Sequence, residues 1–407
     1  MTGSPQLPDG AALRRRAAGV LPASAARHGG FDELVVRGQG AYLWTAEGRR
    51  FVDYFLCYGT TVVGHGDPAV NDAAAIAAAC CGRTGIGLQR AEVELAEQIA
   101  AWLPSAEKVI FVTGGDEALR RAIQVSRAAT GRRRILMPSI GDPGAHTAFA
   151  RHGHKVAAVV VAPYLHGDAS TAPGSASLQQ MRELATRHGS LLVLDERETA
   201  FRHHLGGYQA IAGVTPDLTV LGEAMANGHS IGALAGRRDL IDGLIAPGGG
   251  CELWGPHPYA FGAARATLEL LANGGVNRLH ELGARLRERL RAAIHDARAD
   301  ATVTGSGPTW RLAWGAADSG RAPAFGAAMR KAGVLLPFSP FAACHVCLAT
   351  SADDIDEMVA AAARVFLRLT SQIASRTELA SPVSPAAHGE LTSNTGNFTG
   401  ANKARLA

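Results

Sequence analysis

Leu191-Leu-Val-Leu-Asp-Glu196, followed by Gly213-Val-Thr-Pro-Asp-Leu-Thr-Val-Leu-Gly-Glu223, contains two apolar runs that each stop at an acidic residue. Both runs are too short for a helix and have the length of a strand. Outward from them the pattern repeats. Helical spacing covers Ser177 to His188 and Asp116 to about Ala129, and short apolar strands are predicted at Val109 to Val112, Arg134 to Met137 and Val156 to Val161. Another strand is predicted at Ala233 to Gly236, and a long helix at His257 to Ala272. Strands alternating with helices predict an α/β domain built on a mostly parallel sheet.

The pattern changes towards both ends. Gly40-Ala-Tyr-Leu-Trp and Arg50-Phe-Val-Asp-Tyr read as a hairpin turning at Glu47-Gly48. After Gly274 come a long amphipathic helix to Ala297, strands near Arg311 to Trp314 and His345 to Ala349, and a helix from Asp353 to Leu369. The expected division is an N-terminal segment (1–50) packing on a small domain, a large domain (51–273), the small α+β domain itself (274–370) and a loose tail (371–407) rich in Ser, Thr, Asn, Gly and Pro.

Composition narrows the function. The chain has 407 residues, 47% hydrophobic and 19% charged, with a formal charge of +4. These values suit a globular enzyme, and the short arginine clusters (14–16, 132–134) are too small for a nucleic-acid stripe. No apolar run nears the roughly 20 residues needed to span a bilayer, and no signal-peptide core follows Arg16, so a cytoplasmic protein is expected. Six cysteines do not make a disulfide scaffold in a chain this long. Cys80 and Cys81 read as buried thiols. Cys344 and Cys347 have half of a zinc spacing, but their segment alternates like a strand and no second pair follows, so no metal site is expected. Lysine is scarce: only Lys108, Lys155, Lys331 and Lys403.

Several segments together carry a specific resemblance. Gly40 to Tyr54, then Val63-Gly-His-Gly-Asp-Pro-Ala-Val70, then Asp195-Glu196, Phe201-Arg202 and Gly206-Gly-Tyr-Gln209, and finally Gly213 to Gly222 keep the order and spacing of class III aminotransferases, nearest in pattern to the glutamate-1-semialdehyde aminomutases. The match runs from about residue 38 to residue 369. The resemblance implies a fold-type I architecture with a large domain built on a seven-stranded type of sheet, a small C-terminal domain, a homodimer, and pyridoxal phosphate (PLP) as the family's cofactor.

That cofactor needs a lysine for its imine, a helix N-terminus for its phosphate, an acid for its pyridine nitrogen and an aromatic over its ring. Where the resemblance places the lysine, this chain has Glu223. Where it places the phosphate-binding turn, the chain reads Gly114-Gly115-Asp116, and an N-cap aspartate would oppose a phosphate of about −1.5 to −2 charge. No hydroxyl stands at Glu252-Leu253-Trp254, and no aromatic between Ser139 and Gly144, with His146 just beyond. Asp195 alone matches, as the pyridine-nitrogen partner.

These residues predict that Glu223, Asp116 and Asp195 line one cavity. Crowded carboxylates raise one another's pKa, so that one serves as acid and another as base. On this basis the expectation is an enzyme that uses no cofactor and performs acid/base chemistry on a small molecule, with Glu223 as general base. Gly114, Gly115, Tyr58, His229 and His257 are candidate substrate contacts. Arg202 reads as structural, and a metal held among the carboxylates is not demanded by spacing. Two alternatives stay open: a non-catalytic partner or ligand-binding protein, and a protein that holds PLP or pyridoxamine phosphate (PMP) without a covalent link.

Overall fold

The structure is a computed structural model that describes residues 10–21, 31, 33–80, 82, 87–138, 143–163, 175–245, 255–315, 320–337 and 342–379. In chain order its strands are Val35–Gln39 (β1), Tyr42–Thr45 (β2), Arg50–Asp53 (β3), Lys108–Val112 (β4), Arg134–Leu136 (β5), Val156–Val161 (β6) and Leu191–Asp195 (β7). They continue as Leu218–Leu221 (β8), Gly232–Gly236 (β9), Ala301–Thr304 (β10), Thr309–Trp314 (β11), Val334–Leu335 (β12) and Cys344–His345 (β13).

The main sheet runs β4-β9-β8-β7-β6-β5. β5, β6, β7 and β8 are mutually parallel, whereas β9 is antiparallel to both its neighbours. The ten residues 222–231 between β8 and β9 explain that reversal, because a parallel crossover takes about a dozen or more. All five residues of β7 and all six of β6 are buried, as strands covered on both faces must be. Ala118, Ala122 and Val125 of the Gly115–Thr130 helix pack on one face with Val193 and Val220. Leu178, Met181 and Leu184 of the Ser175–His188 helix pack on the other with Leu192 and Leu194. Successive β7 residues thus serve opposite layers.

The predicted hairpin is present as β2 and β3, within a four-stranded sheet β1-β2-β3-β12 in which β12 joins β3 in parallel. A third sheet is β10-β11-β13. The helices Pro258–Leu270 and Val276–Asp296 are separated by a break at Asn273 and Gly274, where Gly274 has φ 93°. This conformation suits glycine.

Cys80 is exposed rather than buried, because it ends the Pro68–Cys80 helix, of which only Val70 and Ala74 are buried; Cys81 lies outside the described residues. Cys344 and Cys347 are buried, and burial pushes both thiols up, Cys347 to about 11. Among the described residues no helix is long and apolar enough to cross a membrane.

A carboxylate-lined candidate site at the strand ends

Three chain segments leave the sheet at the same edge. β4 ends at Val112 and passes through Thr113-Gly114 into the Gly115–Thr130 helix, β7 ends at Asp195, and β8 ends at Leu221 and passes through Gly222 to Glu223. The carboxyl edge of a parallel sheet is where such folds gather binding groups. Glycines bring the backbones together here. A Cβ on Gly232 would stand 2.4 Å from the carbonyl carbon of Gly114, so β9 starts directly against the start of that helix.

Glu223 turns its carboxylate onto the helix N-terminus. Its Oε1 accepts the backbone N–H of Gly115 at 3.0 Å. The helix N-cap is Gly114, extended and without a side-chain cap. The sequence-based assignment of the cap to Asp116 is therefore corrected: Asp116 lies inside the first turn, its side chain is exposed, and it pairs with Arg197. An internal anion does sit at the helix N-terminus, but it comes from 108 positions away, where the dipole and the unpaired N–H favour a carboxylate.

Arg197, which local sequence reading missed, organises the rest. Its Nε and Nη2 donate to Oδ1 and Oδ2 of Asp195, both at 2.8 Å, and its Nη1 donates to Asp116. Its stem covers the glycines: a Cβ on Gly115 would come within 2.5 Å of Arg197 Cδ, and one on Gly222 within 3.2 Å of its Cβ. Hydrogen bonding to Asp195 raises the guanidinium pKa above its usual range, against the opposing effect of burial. The expected crowding of bare carboxylates is thus corrected: a fork-shaped cation stands between Asp195 and Asp116. The available signal was an arginine two places after an aspartate at a strand end, a spacing that keeps both on one side of an extended chain.

The other candidates separate into two groups. His257 caps the Pro258–Leu270 helix, its Nδ1 accepting from Tyr259 N at 3.3 Å, and its ring stacks on Tyr259 at 4.8 Å. His229 approaches the same tyrosine ring at 5.6 Å, and partial burial lowers its pKa. Tyr58 is 60% exposed and edges onto Phe55 rather than entering the core. It follows Leu56 and Cys57, all three with positive φ, a costly run for L-residues. Arg202 is buried and donates to Gly59 O at 2.5 Å, holding that turn from below. Asn227 ties the Glu223 turn to the same loop, accepting from Val63 N at 2.9 Å and donating to Gly64 O at 2.8 Å. The stretches 139–142 and 252–254 and the side chain of His146 lie outside the described residues.

Lys108 and Lys155 stand at the start of β4 and just before β6, at the opposite edge of the sheet, and Lys108 pairs with Asp242 at 2.6 Å. Lys331 ends the Arg321–Lys331 helix, and Lys403 is outside the described residues.

The chain matches the model of the family described as aminotransferase class-III over residues 23–140 and 144–366. It is 36% identical over 400 residues to the glutamate-1-semialdehyde 2,1-aminomutase of Thermomicrobium roseum, covering 84% of this chain and 92% of that protein. The chain belongs to the class III aminotransferase family. Among solved structures, a transaminase with PLP bound shares the fold with TM-score 0.80 at 23% identity, over 89% of this chain and 98% of that one. A glutamate-1-semialdehyde aminomutase from Pseudomonas aeruginosa PAO1, a lysine-to-alanine variant in complex with PMP, superposes with TM-score 0.72 at 21% identity, over 82% and 87% of the two chains. These findings correct two expectations. Cofactor-free acid/base chemistry with Glu223 as general base is overturned by relatives named as aminomutases, and the expected lack of a cofactor by PLP- and PMP-bound proteins of the same fold. The physical reason is visible in the site, where Glu223 binds a backbone amide rather than facing an open carboxylate pair.

Proposed function

We propose that this chain is an aminomutase-like class III protein that holds PMP, or PLP, without a covalent link, acting as a homodimer on a small molecule. The observation that carries the reading is Asp195. It stands 8% exposed at the carboxyl end of β7, beside a helix N-terminus whose first positions, Gly114 and Gly115, carry no side chain. A carboxylate there suits a protonated ring nitrogen, and a helix start without side chains suits a phosphate once Glu223 gives up the Gly115 N–H. The residues fit a cofactor held in this way. Among the described residues they do not fit an imine link, since position 223 offers no amine, Lys108 and Lys155 lie at the other edge of the sheet, and Lys331 ends the Arg321–Lys331 helix. Two of the chain's own groups occupy these positions, Arg197 on Asp195 and Glu223 on Gly115, so binding is an exchange of partners.

PMP supplies the amino group and the electron sink when bound. The chain's own residues orient it. Asp195 would hold the ring nitrogen, the helix start at Gly114 and Gly115 would offer backbone N–H groups to the phosphate once Glu223 and the Arg197 stem have moved, and the loop around Tyr58, tied to the Glu223 turn through Asn227, would face the substrate. His229 and His257, gathered on Tyr259, are proposed as flanking contacts. The relatives' name supports a semialdehyde of the glutamate type as substrate class.

Incubation with PMP followed by desalting tests this reading, with the absorbance spectrum as readout. A retained chromophore is expected; a protein that comes through without one refutes it. The loss of the lysine favours a second reading, binding without turnover, and a PMP-loaded protein that never converts glutamate-1-semialdehyde would select it.

A further inference from the structure

The geometry points to Arg197 as an internal competitor for the ring anchor: its guanidinium closes on Asp195 and has to leave before a cofactor nitrogen pairs there. This inference rests on the reading of PMP as ligand and adds a regulation of the same site.

Both oxygens of Asp195 are engaged by the fork of Arg197 at 2.8 Å, and Asp195 Oδ1 also accepts the Arg197 backbone N–H at 3.3 Å. The Asp195 side chain is only 7% exposed. A bare carboxylate so deep is costly, and the arginine neutralises it. The arginine is the more exposed partner of the two. It keeps 28% of its side chain exposed, and it is tied on the solvent side to Asp116, whose side chain is 82% exposed. Its stem lies over Gly115, where a Cβ would collide with it, and against Gly222, where a Cβ would be tightly pressed. The same side chain therefore covers both the anchor and the glycine floor beside the helix N-terminus. A site that must first open binds more weakly in proportion to its open fraction. Arg197 thus sets the affinity for the cofactor while touching none of the chemistry.

The test is a calorimetric titration of PMP into the wild-type chain and into Arg197→Met and Arg197→Gln. Methionine keeps the stem over the glycines, and glutamine keeps a polar end. Loss of the competing fork predicts PMP binding about tenfold tighter or more. A purely structural arginine predicts equal or weaker binding. The wild-type chain supplies an independent measurement if either variant folds poorly: with ¹⁵N-labelled arginine, PMP should shift the Arg197 Nε–H resonance and leave Arg132 and Arg287 in place. PMP binding with that resonance unmoved, or with variants no tighter than wild type, overturns the inference and leaves the PMP reading standing. No PMP binding by any form ends both. Binding by the variants alone supports the competitor and ends the reading of the wild-type chain as a PMP holder.

Discussion

Glu223→Lys restores the amine that the family pattern carries, and the structure says what that costs. The wild-type carboxylate accepts Gly115 N–H at 3.0 Å at the start of a sixteen-residue helix. Removing a side-chain acceptor from a helix N-terminus costs about 1 kcal/mol. Exchanging a favourable anion for an unfavourable cation at the positive end of the dipole adds roughly 0.6 to 2 kcal/mol, counting about 0.3 to 1 for each charge. The total is about 2 kcal/mol, which, with an unfolding entropy of about 2.1 cal/mol/K per residue, lowers the melting temperature of a 407-residue chain by about 2 °C. Thermal denaturation followed by circular dichroism measures it. Glu223→Gln separates the contributions, because it keeps an acceptor and loses only the charge, so it should fall between the two. A Glu223→Lys protein that melts at or above the wild type refutes the assignment of Glu223 as the anion of this helix. In the same variant, PLP followed by borohydride should label position 223, while the wild-type chain stays unlabelled.

Three further outcomes are expected. Gly232→Ala drives a Cβ to 2.4 Å from the Gly114 carbonyl carbon; backbone cannot yield as a side chain does, so a loss of about 2 kcal/mol or more is expected in urea denaturation. Arg202→Met leaves the Gly59 carbonyl without its buried donor and should cost about 2 kcal/mol by the same measurement. Acid should destabilise the fold through His203 and His345, both buried and held well below the usual histidine pKa by burial and by neighbouring arginines. Unfolded histidine takes up a proton below about pH 6.5 while these two remain neutral in the fold, so stability falls as pH drops through that value, by about 1.4 kcal/mol per pH unit for each. Urea midpoints between pH 7 and pH 5 measure the slope, and His203→Gln with His345→Gln should flatten it.

The sheet was legible because its strands are short, apolar and separated by helices, and the runs at Leu191–Asp195 and Leu218–Leu221 fall where the sequence predicts them. The reversed direction of β9 was not, since a strand buried throughout reads the same whichever way it runs. Asp195 and Glu223 were found because each follows a strand within a recognisable order of motifs. What they touch was not legible. The partner of Glu223 is an amide 108 positions away, and Asp116 was assigned to the cap because local pattern cannot see a carboxylate arriving from another strand. Arg197 is not legible in the sequence because its importance lies in closing over three separate segments, and only the fold brings Gly115, Asp195 and Gly222 beneath it. A chain without a lysine at 223 reads as one without the cofactor; relatives named as aminomutases, and PLP- and PMP-bound proteins of the same fold, correct that expectation.

A cofactor held by contacts alone should be visible in a native mass spectrum of the purified chain with PMP. One PMP per chain is expected, retained under native conditions and lost on denaturation, and with PLP no adduct on any lysine after borohydride. A chain that carries no PMP at saturating concentration, or one that keeps a covalent PLP adduct through denaturation, contradicts it.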